Sequence, residues 1–398
     1  MENLIFHQLG SCPLPIKTSE IDSAPFKTKC ASAMAMSIAN QKSDFARTAT
    51  SFCNFVSQKP DSQFPAKSGR YHLYISYACP WASRCLAVLK LKGLEKAISF
   101  SSVQPVWRKT KESDNHMGWV FPDSDTEVLG AATDRLNGAK SIRELYDIAS
   151  SNYTGKYTVP ILWDKKLKTI VNNESSEIIR MFNTKFNHVA ENPSLDLHPP
   201  SLRTIVDDTN TWIHDDINNG VYKCGFATNQ ETYDLVKQLF NLLISSETTV
   251  SCIGQMRRNT QKTTVLCGNT LTEPDIRLFV TLIRFDEVYA VIFKCDKRLV
   301  REYYNLFNYT KDIYQIAGIS STVKMDHIKQ NYYRSFPSLN PLEIIPDGPD
   351  IDYSLPHDRH RFSSGTPLRR GNARHEFEQA SLVCELSLVL LEIFSKLF

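Results

Sequence analysis

The sequence predicts two domains, a mixed α/β unit followed by an all-helical one. Three observations carry this. A strand-like run, Tyr71–Ser76, leads into a cysteine–proline pair, Cys79-Pro80, that opens a helix. Strand-like and helix-like segments then alternate up to Phe182. Beyond the stretch Pro193–Pro200 the convincing patterns are all helical. The chain has 398 residues, 42% of them hydrophobic, which is enough for two modest cores.

Residues 1–66 read as a leader. Its first part, Met1 to Ala35, is rich in Ser, Ala, Thr and Lys and holds only three acids, Glu2, Glu20 and Asp22. It lacks the apolar core of a secretory signal and has the acid-poor, hydroxyl-rich character of an organelle transit peptide. Import into the chloroplast is the expectation, with an ordinary disordered leader on a cytoplasmic protein as the alternative. The stretch Gln58–Ser68, with Pro60 and Pro65, is linker-like.

The first domain is expected over residues 67–190. Tyr71–Ser76 alternates enough for a strand, and Cys79–Lys92 reads as a helix ended by Gly93. Ala97–Val103 is a second strand. The long connection Gln104–Ala139, carrying Trp107, Trp119, Phe121 and Pro122, is expected to be functional or partner-facing because ordinary connections are shorter. Ser141–Ser151 looks helical, Thr158–Trp163 and Lys168–Val171 form a hairpin-like pair, and Asn173 can cap a helix from Glu174 to Phe182. The order strand, helix, strand, helix, strand, strand, helix is that of a thioredoxin-like sheet with helices on both faces.

The second domain is expected over residues 200–340, with helices at Thr204–Ile217, Thr232–Leu243, Glu273–Val291 and Leu299–Ile313. Thr272 and Asp275 open the third of these as a capping box, with Asp in place of the usual Glu or Gln. Residues 341–398 form an extension.

Cys79 is the leading candidate for chemistry. The first N–H groups of a helix are unpaired and the helix dipole favours negative charge there. A thiol in that position loses its proton more readily than the reference pKa of about 8.5 implies. Pro80 suits the first helical turn, where no N–H is needed. Ala82 stands where a Cys-x-x-Cys motif would have its second cysteine, so the site has one thiol. It can form a mixed disulfide, and a second thiol from a small molecule must resolve it. The other nine cysteines keep the ordinary reading of buried, inert residues.

Composition excludes several classes. The formal net charge of +3 gives no electrostatic case for nucleic acid. Ten cysteines without regular spacing match neither a secreted disulfide framework nor zinc modules, so no metal is expected and a reducing compartment fits. No apolar run is long enough for a membrane span.

Several stretches in combination resemble one family. They are Tyr77-Ala78-Cys79-Pro80-Trp81-Ala82, Met117-Gly118-Trp119-Val120-Phe121, Thr158-Val159-Pro160-Ile161-Leu162-Trp163-Asp164, Asn172-Asn173-Glu174-Ser175-Ser176 and Asn219-Gly220-Val221-Tyr222-Lys223-Cys224-Gly225-Phe226. Leu271-Thr272-Glu273-Pro274-Asp275-Ile276-Arg277-Leu278-Phe279 and His327-Ile328-Lys329-Gln330-Asn331-Tyr332-Tyr333 add to them. Over residues 45–362 the chain resembles the glutathionyl-hydroquinone reductases, the Xi class of glutathione transferases, in their plant form. The resemblance implies the glutathione transferase fold, with an N-terminal thioredoxin-like domain and a C-terminal helical domain. It implies glutathione as co-substrate with no bound cofactor, and a homodimer.

By the same resemblance, Cys79 is the nucleophile. Val159 and Pro160 would pair with the cysteinyl backbone of glutathione as a short added strand. Glu174 and Ser175, at a helix start, would hold its γ-glutamyl end, and Trp119 would form a wall over it. Tyr222, Tyr332 and Tyr333 would hold the aromatic product, although most of the 16 tyrosines of the chain are expected to be core or surface residues. The implied reaction is removal of glutathione from a glutathionyl-hydroquinone through a Cys79–glutathione disulfide. A conjugating transferase, a non-catalytic or impaired ligand-binding variant, and a thiol transferase remain as rivals. Two segments depart from the family pattern. Ile244–Val265 is rich in Ser and Thr and holds Gly254 where the family has a regular helix, and the tail after Phe362 ends in a Leu-rich run, Ser381–Phe398.

Overall fold

A computed structural model of the chain describes residues 52–234 and 265–362. The first strand, β1 (Tyr71–Ile75), is buried on both faces. It pairs in parallel with β2 (Ile98–Ser102), Leu73 opposite Phe100, and antiparallel with β5 (Ile161–Asp164), Leu73 opposite Leu162. With β6 (Thr169–Asn172) the sheet order is β2-β1-β5-β6. The charged pair of this buried sheet is matched. Arg70 and Asp164 form an ion pair at 2.5 Å, and the other carboxylate oxygen of Asp164 accepts from Lys166 N and Leu167 N in the β5–β6 turn.

His72 shows how tightly this matching is drawn. Its ring nitrogens lie 2.7 Å and 3.0 Å from the hydroxyls of Ser99 and Ser101. Burial pulls its pKa from 6.5 down to about 4. The folded state therefore binds the proton less readily than the unfolded chain. His72 contributes stability that is complete above pH 6.5 and is lost as pH falls through 4. Unfolding free energy is expected to fall between pH 6.5 and 4, with His72 contributing on the order of 3 kcal/mol. Urea denaturation of the protein and of His72→Gln at both pH values checks this: the variant should show a smaller drop.

Helix α1 (Pro80–Leu91) follows β1 and packs on α3 (Ser175–Thr184). Gly93 ends α1 at φ +61°, and a Cβ there would lie 2.6 Å from Cβ of Glu191, so only glycine fits. The connection after β2 contains a two-stranded ribbon, β3 (Arg108–Lys109) and β4 (Met117–Gly118), too short to leave a sequence pattern. It covers one sheet face: Tyr74 donates to Asp134 at 2.7 Å and meets the edge of Phe121. Helix α2 (Ile142–Ala149) is capped by Ser141.

Two expectations are corrected here. The leader boundary at residue 66 is too late. Asn54 N donates to Val171 O, Cys53 bridges to Asn172, and Val56 and Phe64 are core residues, so residues 52–66 are part of the first domain. The cap of α3 is Glu174, whose carboxylate accepts from Ser176 N at 3.1 Å. The Asn173 side chain is engaged elsewhere, with Tyr146 Oη and Phe52 N.

The second unit is helical: α4 (Arg203–Trp212), α5 (Gly220–Gly225), α6 (Glu273–Arg284), α7 (Tyr304–Tyr314) and α8 (Met325–Arg334). The expected helices Thr204–Ile217 and Glu273–Val291 are each interrupted by a π-helical stretch, Ile213–Asn218 and Phe285–Tyr289. Residues 230–234 begin the helix expected at Thr232–Leu243; its remainder lies outside the described residues. So do most of the atypical stretch Ile244–Val265, the leader through residue 51 and the run Ser381–Phe398. Residues up to Arg359 fold back on α7, where Arg359 meets Asp312 and Lys311 donates to Pro356 O. Among the described residues no helix is long and apolar enough to cross a membrane.

The capping box of α6 forms. Asp275, fully buried, accepts from Thr272 N (2.9 Å), Thr272 Oγ1 (2.8 Å), Leu266 N (2.8 Å) and Tyr309 Oη (2.7 Å). Asp275→Ala would leave these buried donors without an acceptor. A loss of about 3 kcal/mol or more in unfolding free energy is expected, measured by urea titration.

Candidate active site

Cys79 is the N-cap residue of α1, with φ −78° and ψ 117°. The Cys-Pro pair sets this up: the strand stops, Cys79 stays extended, and Pro80 begins the helix without needing a hydrogen-bond acceptor for its nitrogen. Cys79 N donates to Ser76 O at 3.2 Å, and Cys79 O accepts from Ser83 N at 2.9 Å. The sulfur is partly exposed, in no disulfide, and lies 3.6 Å from Val159 O. Cys85, further along α1, makes a useful contrast. It is fully buried, and burial pushes its thiol far above the ordinary range.

Cys79 opens into a cavity of about 1600 Å³ lined on one side by loops and helix starts of the first domain and on the other by the helical unit. Three neighbouring elements build the first wall. Val159-Pro160, a cis pair, precedes β5 and borders the sulfur. Glu174 and Ser175 lie at the start of α3. Ser175 Oγ accepts from Arg84 at 3.1 Å and 2.5 Å, and Arg84 lies 3.7 Å from the Glu174 carboxylate. Trp119, the residue after β4, closes the rim edge to face with Trp107 at 5.6 Å.

The opposite wall comes from the helical unit. Tyr222 on α5 packs its ring on Trp81 at 5.0 Å. Its hydroxyl meets that of Tyr332 on α8, which in turn lies 2.9 Å from the hydroxyl of Tyr289. Burial holds all three phenols above their ordinary range, so they stay protonated through neutral pH.

Of the residues expected from the sequence, Cys79, Trp119, Val159, Pro160, Glu174, Ser175, Tyr222 and Tyr332 border this one cavity. Tyr333 does not. Successive helical residues point about 100° apart, so with Tyr332 facing the cavity Tyr333 turns to the π stretch after α6 and donates to Glu287 O at 3.1 Å. Sequence reasoning missed Tyr289 and Arg84. Tyr289 reaches the tyrosine cluster through the π stretch after Arg284, which no 3.6-residue pattern announces. Arg84 lies on the same helix as Cys79, and its only signal was a cation within an apolar run.

A model of the glutathione S-transferase N-terminal domain matches residues 78–185. Over 322 residues the chain is 46% identical to the glutathionyl-hydroquinone reductase YqjG of Escherichia coli, spanning 79% of this chain and 92% of the relative. It is 40% identical over 289 residues to the glutathionyl-hydroquinone reductase PcpF of Sphingobium chlorophenolicum, 73% of this chain and 86% of that one. Among solved structures, the glutathione-bound form of YqjG superposes with a TM-score of 0.70 at 43% identity, covering 78% of this chain and 96% of that chain. The Xi glutathione S-transferase of Phanerochaete chrysosporium gives 0.70 at 42%, covering 79% and 100%.

Proposed function

This chain belongs to the glutathionyl-hydroquinone reductases, the Xi class of glutathione transferases, and on that premise we propose that it removes glutathione from glutathionyl-hydroquinones with Cys79 as nucleophile. The observation that carries the reading is one cavity with a helix-capping cysteine on one wall and a pair of protonated tyrosines on the other.

The Cys79 thiolate attacks the sulfur that joins glutathione to the aromatic carbon. The carbon–sulfur bond breaks, its electron pair goes to the ring carbon, and a sulfur–sulfur bond forms between Cys79 and glutathione. The ring carbon takes a proton, for which Tyr222, backed by Tyr332, is the donor at hand. A second glutathione thiolate then attacks the mixed disulfide on its glutathione sulfur. Oxidised glutathione leaves and the Cys79 thiolate is restored. Two electrons pass from the two glutathione sulfurs, the substrate's thioether sulfur and the thiol of the second glutathione, to the aromatic carbon, so no bound cofactor is required. Val159-Pro160, Glu174, Ser175 and Trp119 would hold the glutathione portion, each at the place on the first wall where its backbone, carboxylate, hydroxyl or ring can contact it.

The direct test is to add one equivalent of glutathionyl-menadiol without free glutathione. Intact-mass and peptide analysis should find glutathione on Cys79 and free menadiol in solution. Menadiol release with no adduct on Cys79 would refute this mechanism.

The reading extends to a plant-type protein whose leader directs it to the chloroplast, on the composition of Met1–Ala35, and to a homodimer, on the family resemblance. Import into isolated plastids and light scattering on the purified protein test these; a protein excluded from plastids, or a monomer at micromolar concentration, would refute them.

A further inference from the structure

Arg284 is the last residue of α6, yet it is 1% exposed and reaches out of the helical unit to the loop that ends in Cys79. Its Nη2 donates to Tyr77 O at 2.8 Å and to Ser83 Oγ at 2.7 Å, and its Nε donates to Ala78 O at 3.3 Å. Its Nη1 closes on Val280 O of its own helix at 2.7 Å. All four acceptors are neutral oxygens. The other buried arginines beside the cleft each have a carboxylate: Arg84 has Glu174, and Arg277 has Glu273. Among the described residues no carboxylate pairs with Arg284. A buried cation without a counter-charge is costly, and two of its acceptors belong to the residues immediately before the nucleophile.

We propose that Arg284 is a positioning residue for Cys79 and the fixed counter-charge of its thiolate. It pins the Tyr77 and Ala78 carbonyls, and so fixes where the chain delivers the sulfur. Its charge favours the ionised sulfur. The activated thiol is then a product of both structural units, because the cation that supports it comes from the helical one.

The titratable groups on the elements packed around the Cys79 turn include Arg84 and Cys85 from α1, Glu174 at the head of α3, Tyr222 from α5, Arg277 and Arg284 from α6, Tyr289 from the π stretch and Tyr332 from α8. Glu174 is matched by Arg84, Arg277 by Glu273, and the phenols are neutral. Of these three arginines, only Arg284 has no carboxylate partner among the described residues. Burial raises the Tyr289 and Tyr332 phenols and Arg284 opposes it, while the Cys79 sulfur adds to the rise at Tyr289 and Tyr222. These groups share one electrostatic neighbourhood.

The inference rests on Cys79 being the nucleophile, and it is tested by thiol acidity, a readout that needs no turnover and so separates the two. Iodoacetamide alkylation of Cys79, followed on its own peptide from pH 4 to 10, is compared in the wild type, Arg284→Lys and Arg284→Gln. The alkylation midpoint of Arg284→Gln should rise by a pH unit or more, which is about a tenfold loss of thiolate below the midpoint. Its plateau rate at high pH should be unchanged. Arg284→Lys, which keeps a cation but not the forked contacts to Tyr77 O, Ala78 O and Ser83 Oγ, should shift the midpoint upward by less than Arg284→Gln does. A folded Arg284→Gln with the wild-type midpoint would overturn the proposal, as would an Arg284→Lys midpoint shifted as far as that of Arg284→Gln. A measurement without arginine variants guards against a Gln variant that does not fold. The gap in melting temperature between the wild type and Cys79→Ser should widen as pH rises through the wild-type midpoint, because an ionised sulfur beside Arg284 stabilises the folded state. A gap that stays flat overturns the proposal.

Discussion

Replacing Cys79 with serine should abolish release of hydroquinone from glutathionyl-hydroquinones, lowering kcat/KM by roughly a thousandfold or more. A serine hydroxyl at the head of α1 can still accept and donate hydrogen bonds, so the fold and the glutathione cleft should remain. What it cannot do is form a sulfur–sulfur bond, and each half of the cycle passes through one. The loss should therefore fall on kcat, while the affinity for glutathione, measured by calorimetry, stays within a few-fold. Cys53→Ser serves as a control because Cys53 is exposed and borders no part of the cavity; its activity should match the wild type. A Cys79→Ser protein that turned over at even a tenth of the wild-type rate would point to another nucleophile.

The second large effect is expected at Tyr222. Tyr222→Phe keeps the ring that packs on Trp81 and removes only the hydroxyl that meets Tyr332. The aromatic carbon then loses its nearest proton donor. A drop of about 10- to 100-fold in kcat is expected, less than the full worth of a general acid because the Tyr332 hydroxyl stands beside it. The two-variant combination with Tyr332→Phe should lose more than either alone. Because burial holds both phenols protonated well above neutral pH, the wild-type rate should show no basic fall from loss of this donor up to about pH 9. A fall with a midpoint between pH 7 and 9 would argue against Tyr222 as the donor, as would an unchanged kcat in Tyr222→Phe. Stopped-flow kinetics on glutathionyl-menadiol across pH reads both.

What the sequence revealed of this site, and what it concealed, follows from the range of the interactions involved. The turn from β1 into α1 was legible because one dipeptide, Cys79-Pro80, ends the strand and starts the helix. The hairpin of β5 and β6 was legible from its two apolar runs. The capping of α3 was misassigned by one residue. Asn173 and Glu174 can each cap locally, and only the distant partners Phe52 and Tyr146 decide which side chain is engaged elsewhere. The start of the first domain was placed too late because Val56 and Phe64 contact the core singly, with no periodicity around them. Helix α8 escaped notice since polar residues, His327 and Asn331, share its buried face. His327 lies 2.8 Å from Leu129 O, and Asn331 donates to Pro105 O, contacts nearly 200 or more residues apart in sequence. The π stretch after Arg284 hid Tyr289 for a related reason: it shifts the phase of the helix, so the side chains that converge on Cys79 come from positions a regular helix would send elsewhere.

The central claim is that a single thiol carries glutathione from an aromatic carbon to a second glutathione. It is tested most directly by measuring, in one reaction with excess glutathione, the menadiol released from glutathionyl-menadiol and the oxidised glutathione formed. The account predicts turnover with the two products appearing one for one, both absent with Cys79→Ser. Menadiol formed without an equal amount of oxidised glutathione, or no turnover from a folded protein that binds glutathione, would contradict it.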